Sequence, residues 1–484
     1  MPTRIEVEKN NNIFTPYFPR GFYRSEAILD LPQKYYSEIK LLSSSPHWLE
    51  VGKTGSGKGI KMSSLVEEAF DAGYKVISIY NAGREIEHGF KRYPATKRFQ
   101  KIISERGQIP RSFPVQIYTP ACKGTTPDKL PDFFNLYTVP VSNYPTINAE
   151  LLSIVNMVGF TDIAKIAIND TLASLNDDDN VADLYLALEK LIEGGYQVYG
   201  MDFDIVKERT RPSLHRILLA AIKTLFMSQA SYEYALTNEK FIEILNNRDE
   251  ISVFTQAFAP LPLHPFFSLL PLQYIFQNST HSKHPVLLVA TEIQKIMQAK
   301  VSAANPANKL FSDWMIELVR GARKYNIHFV GDTQIYSTIN PEFRSQASVM
   351  AFYSDIEDDK GLKDFGRKLR DKDRIKMLPD ILHFLKHDPY NGVFEYYNFD
   401  KNRVYMVKLP TTAHPWEGNR GDFLWYVKKY DKECKWIPTN FIFDEVEEDI
   451  KDSTEEVKDY IKGRKDKPAK RLKEMITDDE IMVE

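Results

Sequence analysis

Two cysteines, Cys122 and Cys434, are all that the 484 residues contain. So few exclude a disulfide framework and a cysteine-built zinc site, and they suit a reducing compartment. Charge of one sign is also lacking: 63 Lys and Arg stand against 66 Asp and Glu, a net charge of -3. That balance gives no hint of a nucleic-acid partner, so a surface for one has to be a local patch. No apolar run approaches the ~20 residues that cross a bilayer. The most apolar stretch, 251–276, is broken by Pro260, Pro262, Pro265 and Pro271. It reads as buried core or a packed insertion. The N-terminus lacks the apolar core of a signal peptide. No internal repeat is visible. The length leaves room for two or three domain-sized units with a large core.

What is present begins at Gly52-Lys53-Thr54-Gly55-Ser56-Gly57-Lys58-Gly59. The P-loop pattern asks for Gly, four residues, then Gly-Lys-Ser/Thr. Gly52, Gly57 and Lys58 fit, but Gly59 has no hydroxyl. Glycines let the backbone curl until its N–H groups point inward at phosphates. The helix that follows adds its positive N-terminal end. Lys58 would reach the β- and γ-phosphates, and the missing hydroxyl would normally hold Mg²⁺. The context is right for such a loop. His47–Val51 reads as a strand, 60–70 as a helix with Ile60, Leu65, Ala69 and Phe70 apolar, and 74–80 as the next strand. The bland alternative is a glycine-rich turn that binds nothing.

Along the chain, 1–45 reads as an N-terminal arm and 46–146 as the first part of an ATPase core, with a strand at 114–119. Residues 147–246 read as a helical insertion, with helices at 148–158, 161–175, 181–192 and 211–230. Such a block could also serve as a module for a protein partner. The core resumes over 247–370. Strands are expected at 251–256, 286–290, 327–331 and 349–353, with a helix over 310–325. Apolar strands alternating with helices indicate an α/β fold with a mostly parallel sheet. Residues 371–445 read as a small C-terminal α/β region, with strands expected at 392–397 and 403–409. The charged tail, 446–484, is basic at 462–473 and then mostly acidic. It reads as solvated chain or as a contact for DNA or a partner.

A phosphate site needs a carboxylate on a second strand end. Val286–Ala290 followed by Thr291-Glu292 has that shape. The usual ending is Asp-Glu, in which Asp supports magnesium and Glu activates water as general base. Here Thr291 replaces the Asp and Glu292 remains, so both protein supports of the metal are altered together. The rival acidic strand end lies at 196–204, with Asp202 and Asp204. If the strands at 286–291 and 327–332 are neighbours, Asp332 lies near Thr291. Asp332 with Thr291 is then a water-mediated magnesium support; the alternative is that Asp332 caps the turn that follows it.

A third segment carries Arg320-Gly321-Ala322-Arg323-Lys324-Tyr325, an apolar strand, then Asp332-Thr333-Gln334, and later Arg344-Ser345-Gln346. Together with the loop and the acidic strand, it resembles the HerA/FtsK superfamily of DNA-pumping P-loop ATPases. The resemblance covers about 46–80 and 284–353. It implies a RecA-like core that binds ATP and Mg²⁺ and assembles as a ring, usually a hexamer, around double-stranded DNA. It places Gln334 as the sensor of the γ-phosphate. Arg320, Arg323 and Arg344 become contacts for phosphate or a neighbouring subunit, the alternative for each being a surface salt bridge. The family's N-terminal barrel is not recognisable in 1–45, which is more consistent with the ATPases of archaeal mobile elements and viruses. A cytoplasmic location is implied, that of the host for a viral protein.

The leading expectation is an ATP-driven DNA translocase or packaging motor. A nucleotide-binding structural subunit with little hydrolysis is the second, favoured by Gly59 and Thr291. A P-loop kinase would need a lid and an acceptor site that the chain does not display.

Overall fold

In the computed structural model, the described residues are 47–80, most of 113–176, most of 234–299, 306–353 and the strands 392–397 and 403–408, with isolated positions and two short strand pairs elsewhere. The helix expected at 211–230, most of that at 181–192 and the tail at 446–484 lie outside them.

The chain enters on β1 (His47–Val51), turns through the glycine loop and continues into α1 (Lys58–Asp71) and β2 (Lys75–Tyr80). Next come β3 (Val115–Pro120), β4 (Phe134–Tyr137), α2 (Ala149–Val155) and α3 (Asp162–Ala173). Beyond them lie α4 (Asn238–Asn246), β5 (Ile251–Phe254), α5 (His264–Asn278) and β6 (Val286–Ala290). The last described part holds α6 (Pro306–Arg320), β7 (Ile327–Thr333), α7 (Pro341–Gln346), β8 (Val349–Phe352) and the hairpin β9 (Gly392–Tyr397) and β10 (Arg403–Lys408).

Among the described residues, ten strands form one sheet in the order β10-β9-β8-β1-β7-β6-β2-β5-β3-β4. Every pairing from β8 to β4 is parallel. The hairpin β9–β10 joins the β8 edge antiparallel. This is the α/β architecture of a RecA-like core, with β7 lying between the loop-bearing β1 and the acid-bearing β6.

The strands are mostly apolar on both faces because helices cover both. Val286, Leu288 and Ala290 of β6 enter one core, and Leu287 and Val289 enter the other. In the second core α1 lays down Met62, Leu65, Val66 and Ala69, an i, i+3, i+4, i+7 stripe. Burying each Leu or Val there contributes about 1.5–3 kcal/mol, more than helix propensity supplies.

The proline-broken stretch after β5 is a helix, α5, buried on almost every side. Pro265 stands in its first turn, where no backbone donor is needed, and Pro271 lies inside it. Among the described residues no helix is long and apolar enough to cross a membrane. The rival acidic strand end is not in the main sheet. Tyr196–Val198 pairs antiparallel with Met201–Phe203 as a separate two-stranded ribbon.

Candidate functional site

The glycine loop leaves β1 at Gly52, whose N–H donates to the Thr333 carbonyl at 3.1 Å. A Cβ at Gly52 would lie 2.7 Å from Cβ of Tyr353, so a side chain is excluded there. Gly55 and Gly57 take positive φ values of 85° and 98°. The Ser56 hydroxyl donates to the Lys53 carbonyl at 2.8 Å and tightens the turn. Thr54 and Gly55 are exposed, while Lys53, Ser56 and Gly59 are half-buried. Gly57 precedes α1 without a side-chain cap, and the first turn of α1 carries no acid. An uncapped start without an acid is the form a helix takes where it faces an anion.

Lys58 is buried and arches back over the loop. Its Nζ donates to the Gly52 carbonyl at 2.5 Å and to the Lys53 carbonyl at 2.8 Å. It also stands 3.9 Å from Oδ2 of Asp332. Parallel pairing of β6 with β7 sets Ala290 beside Gly331, and so brings the two strand ends together. Asp332 is fully buried, and its Oδ1 accepts the Glu292 N–H at 2.6 Å. The turn after β7 is capped by Thr333 instead, whose Oγ1 accepts the Ile335 N–H at 3.1 Å. Asp332 is thus a cross-strand ligand of Glu292 and a neighbour of Lys58.

Glu292 lies just beyond the end of β6, after Thr291, and takes a left-handed conformation with φ 50°. A non-glycine residue there is strained and needs its surroundings to hold it. Three contacts do so: its N–H on Asp332, its Oε1 accepting from Gln334 Nε2 at 3.0 Å, and its Oε2 paired with Lys295. The bond to Glu292 raises the Lys295 ammonium above its ordinary range. Lys58, Asp332, Glu292 and Gln334 therefore form one connected chain across α1, β7 and the end of β6.

Thr291 turns the other way. Its N–H donates to the Tyr80 carbonyl at 2.8 Å, and its hydroxyl lies 3.5 Å from the same oxygen on β2. Arg320 pairs with Glu317 at 2.6 Å and with Glu342. The Arg344 guanidinium lies 4.7 Å from the ring centroid of Tyr336. The Arg323 side chain lies outside the described residues.

The donors present fit a magnesium ion in one respect. Asp332 supplies a hard carboxylate beside the loop, and Mg²⁺ is commonly held by one or two carboxylates together with phosphates and water. Gly59 supplies nothing, and Thr291 would reach an ion only through water.

Residue patterns missed four members of the surroundings. Glu50 and Glu395 on the sheet and Lys61 on α1 are charged yet buried, and Tyr353 packs against Gly52. The available signal was a single charge inside each of two otherwise apolar strand patterns.

No family model matches the chain, and no curated protein matches it. Among solved structures it is similar to VirB4 of Thermoanaerobacter pseudethanolicus, at 13% identity and TM-score 0.41, over 75% of this chain and 88% of that one. It is also similar to the plasmid coupling protein TrwB in complex with ADP and Mg²⁺, at 12% identity and TM-score 0.45, over 82% and 91%. A third is the genome packaging NTPase B204 from Sulfolobus turreted icosahedral virus 2 in complex with ATP-gammaS, at 13% identity and TM-score 0.24, over 36% and 73%.

Proposed function

We propose that the chain is an ATP-driven motor that moves double-stranded DNA, working as a ring, with six subunits as the expected number. One observation carries the catalytic part: Lys58, Asp332, Glu292 and Gln334 are joined by direct contacts at the mouth of the glycine loop. The sequence resemblance of 46–80 and 284–353 supports the DNA part.

In this reading ATP lies along Gly52–Gly59, with its phosphates on the loop amides and the start of α1. Lys58 leaves the loop carbonyls for the β- and γ-phosphates. Asp332 would hold Mg²⁺, and Thr291 would join it behind a water only once its hydroxyl leaves the Tyr80 carbonyl. When bound, that ion neutralises charge on the phosphate oxygens. Glu292 accepts a proton from the attacking water as the new oxygen–phosphorus bond forms and the bond to ADP breaks. Gln334 orients Glu292 and senses the γ-phosphate. Arg344, Arg320 and Arg323 are the candidates for phosphate or neighbouring-subunit contact. Arg320 would first have to give up Glu317 and Glu342.

Mg²⁺-dependent ATPase, measured with and without double-stranded DNA, tests the reading. Lys58→Ala is expected to abolish nucleotide binding. Glu292→Gln is expected to keep binding and to lower turnover by about 10²-fold or more. A second reading, a nucleotide-binding structural subunit, is favoured by the double engagement of Glu292 with Lys295 and Gln334 and by Gly59. Tight ATP binding with no turnover, with or without DNA, would select it.

A further inference from the structure

Strand register aligns four residues in a row across the sheet: Asp332 of β7, Glu50 of β1, Ala351 of β8 and Glu395 of β9. Paired neighbours on adjacent strands point to one face. Here that face is the one α1 covers, since Lys58 stands by Asp332 and Lys61 forms an ion pair with Glu395. Lys58 and Lys61 are three residues apart and share one side of the helix. Three carboxylates thus meet two ammonium groups in a row closed to solvent. Asp332, Glu50 and Glu395 are each 0% exposed, and Lys61 is 1% exposed. Ala351 is the one small member.

The row also touches the glycine loop. Glu50 Oε2 accepts from the Tyr353 hydroxyl at 2.9 Å, and Tyr353 is the side chain that packs on Gly52. Lys61 Nζ lies 5.1 Å from the ring centroid of Trp48 on β1. Burial pushes the Lys61 ammonium down to about 8 against the opposing pull of Glu50 and Glu68.

A buried ion pair is a poor stabiliser, because desolvation cancels most of the attraction; apolar residues of similar volume usually hold a fold as well or better. What such a pair does supply is a directional constraint. We propose that Lys61 and Glu395 are positioning residues for the phosphate site: the hairpin β9–β10 clamps α1 to the sheet and so sets where Lys58 stands. The inference rests on the reading of Gly52–Gly59 as a phosphate site.

The test compares ATP affinity in the presence of Mg²⁺, kcat and thermal melting in the full chain and three variants. Lys61→Met leaves Glu395 without its ammonium, and Glu395→Gln leaves Lys61 with only the more distant Glu50 and Glu68, so both are expected to lower the melting temperature as well as ATP affinity. The decisive variant is Lys61→Met with Glu395→Met, which removes both charges and keeps apolar volume. Its melting temperature is expected to return to that of the unmodified chain, while its ATP affinity or kcat stays about tenfold or more lower. A double variant that both melts and handles ATP like the unmodified chain makes the pair merely structural and overturns the inference alone. An unmodified chain that binds no ATP overturns the phosphate-site reading, and the inference with it.

Discussion

Gly59 withholds a hydroxyl from the proposed phosphate site, and Asp332 brings a carboxylate to within 3.9 Å of Lys58 from the neighbouring strand. If the second compensates for the first, the two positions are coupled through the metal. Asp332→Asn is the informative change, since Oδ1 can still accept from the Glu292 N–H while the charge is lost. It is expected to raise the Mg²⁺ concentration for half-maximal ATPase by about tenfold or more. Gly59→Ser in the same chain is expected to recover part of that shift. A magnesium titration of steady-state turnover in the single and double variants measures both. An unchanged titration in Asp332→Asn would take the ion away from Asp332. Asp332 itself was legible because it breaks an apolar strand beside a recognisable Thr-Gln. Glu50, Lys61 and Glu395 were not, because a charge in a pattern is ordinarily read as solvated. Only strand register across β7, β1, β8 and β9 shows that three carboxylates lie in one closed row.

Elements with a clear period were readable, and those governed by tertiary contacts were not. β1, α1, β2, β6 and β7 all lie where their patterns place them, β7 running two residues further, to Thr333. α5 hides its period because it is buried nearly all round and so has no polar face to mark it. The two central strands also carry buried imidazoles. His47 opens β1, and His328 lies near the start of β7 with its ring 4.9 Å from that of Tyr74. Burial, and then the neighbouring His328, lower His47 to about 3 from 6.5. His47 is thus neutral in the fold, while the unfolded chain takes up a proton as pH falls below 6.5. The unfolded state binds more protons between pH 6.5 and 3, so stability must fall through that window. From pH 7 to pH 5 the loss from His47 alone is about 2 kcal/mol. Urea unfolding at the two pH values measures it. His47→Gln should flatten the dependence by that amount; an unaltered slope would place the acid sensitivity elsewhere.

For the whole molecule, the proposed motor differs from a structural subunit in one measurable respect: the coupling of turnover to DNA. With a net charge of -3, the chain as a whole does not attract a polyanion. Any DNA contact must be a local set of Lys and Arg facing phosphates, and such binding weakens as salt rises because each contact releases condensed counterions. In the proposed reading, nucleotide binding at the glycine loop would rely on backbone N–H groups and on a Lys58 that is 3% exposed, so it should feel salt far less. Basal and DNA-stimulated ATPase should therefore separate on a salt series. Between 50 and 200 mM salt, the DNA concentration for half-maximal stimulation is expected to rise by about 10³-fold or more if six or more phosphates are contacted. Basal turnover over the same range should change little. Stimulation by duplexes of unrelated sequence should be equal, since phosphate contacts carry no sequence information. A stimulated rate that is insensitive to salt, or one confined to a single sequence, would contradict backbone-tracking translocation. The absence of any stimulation, with ATP binding intact, would leave the glycine loop serving a structural subunit.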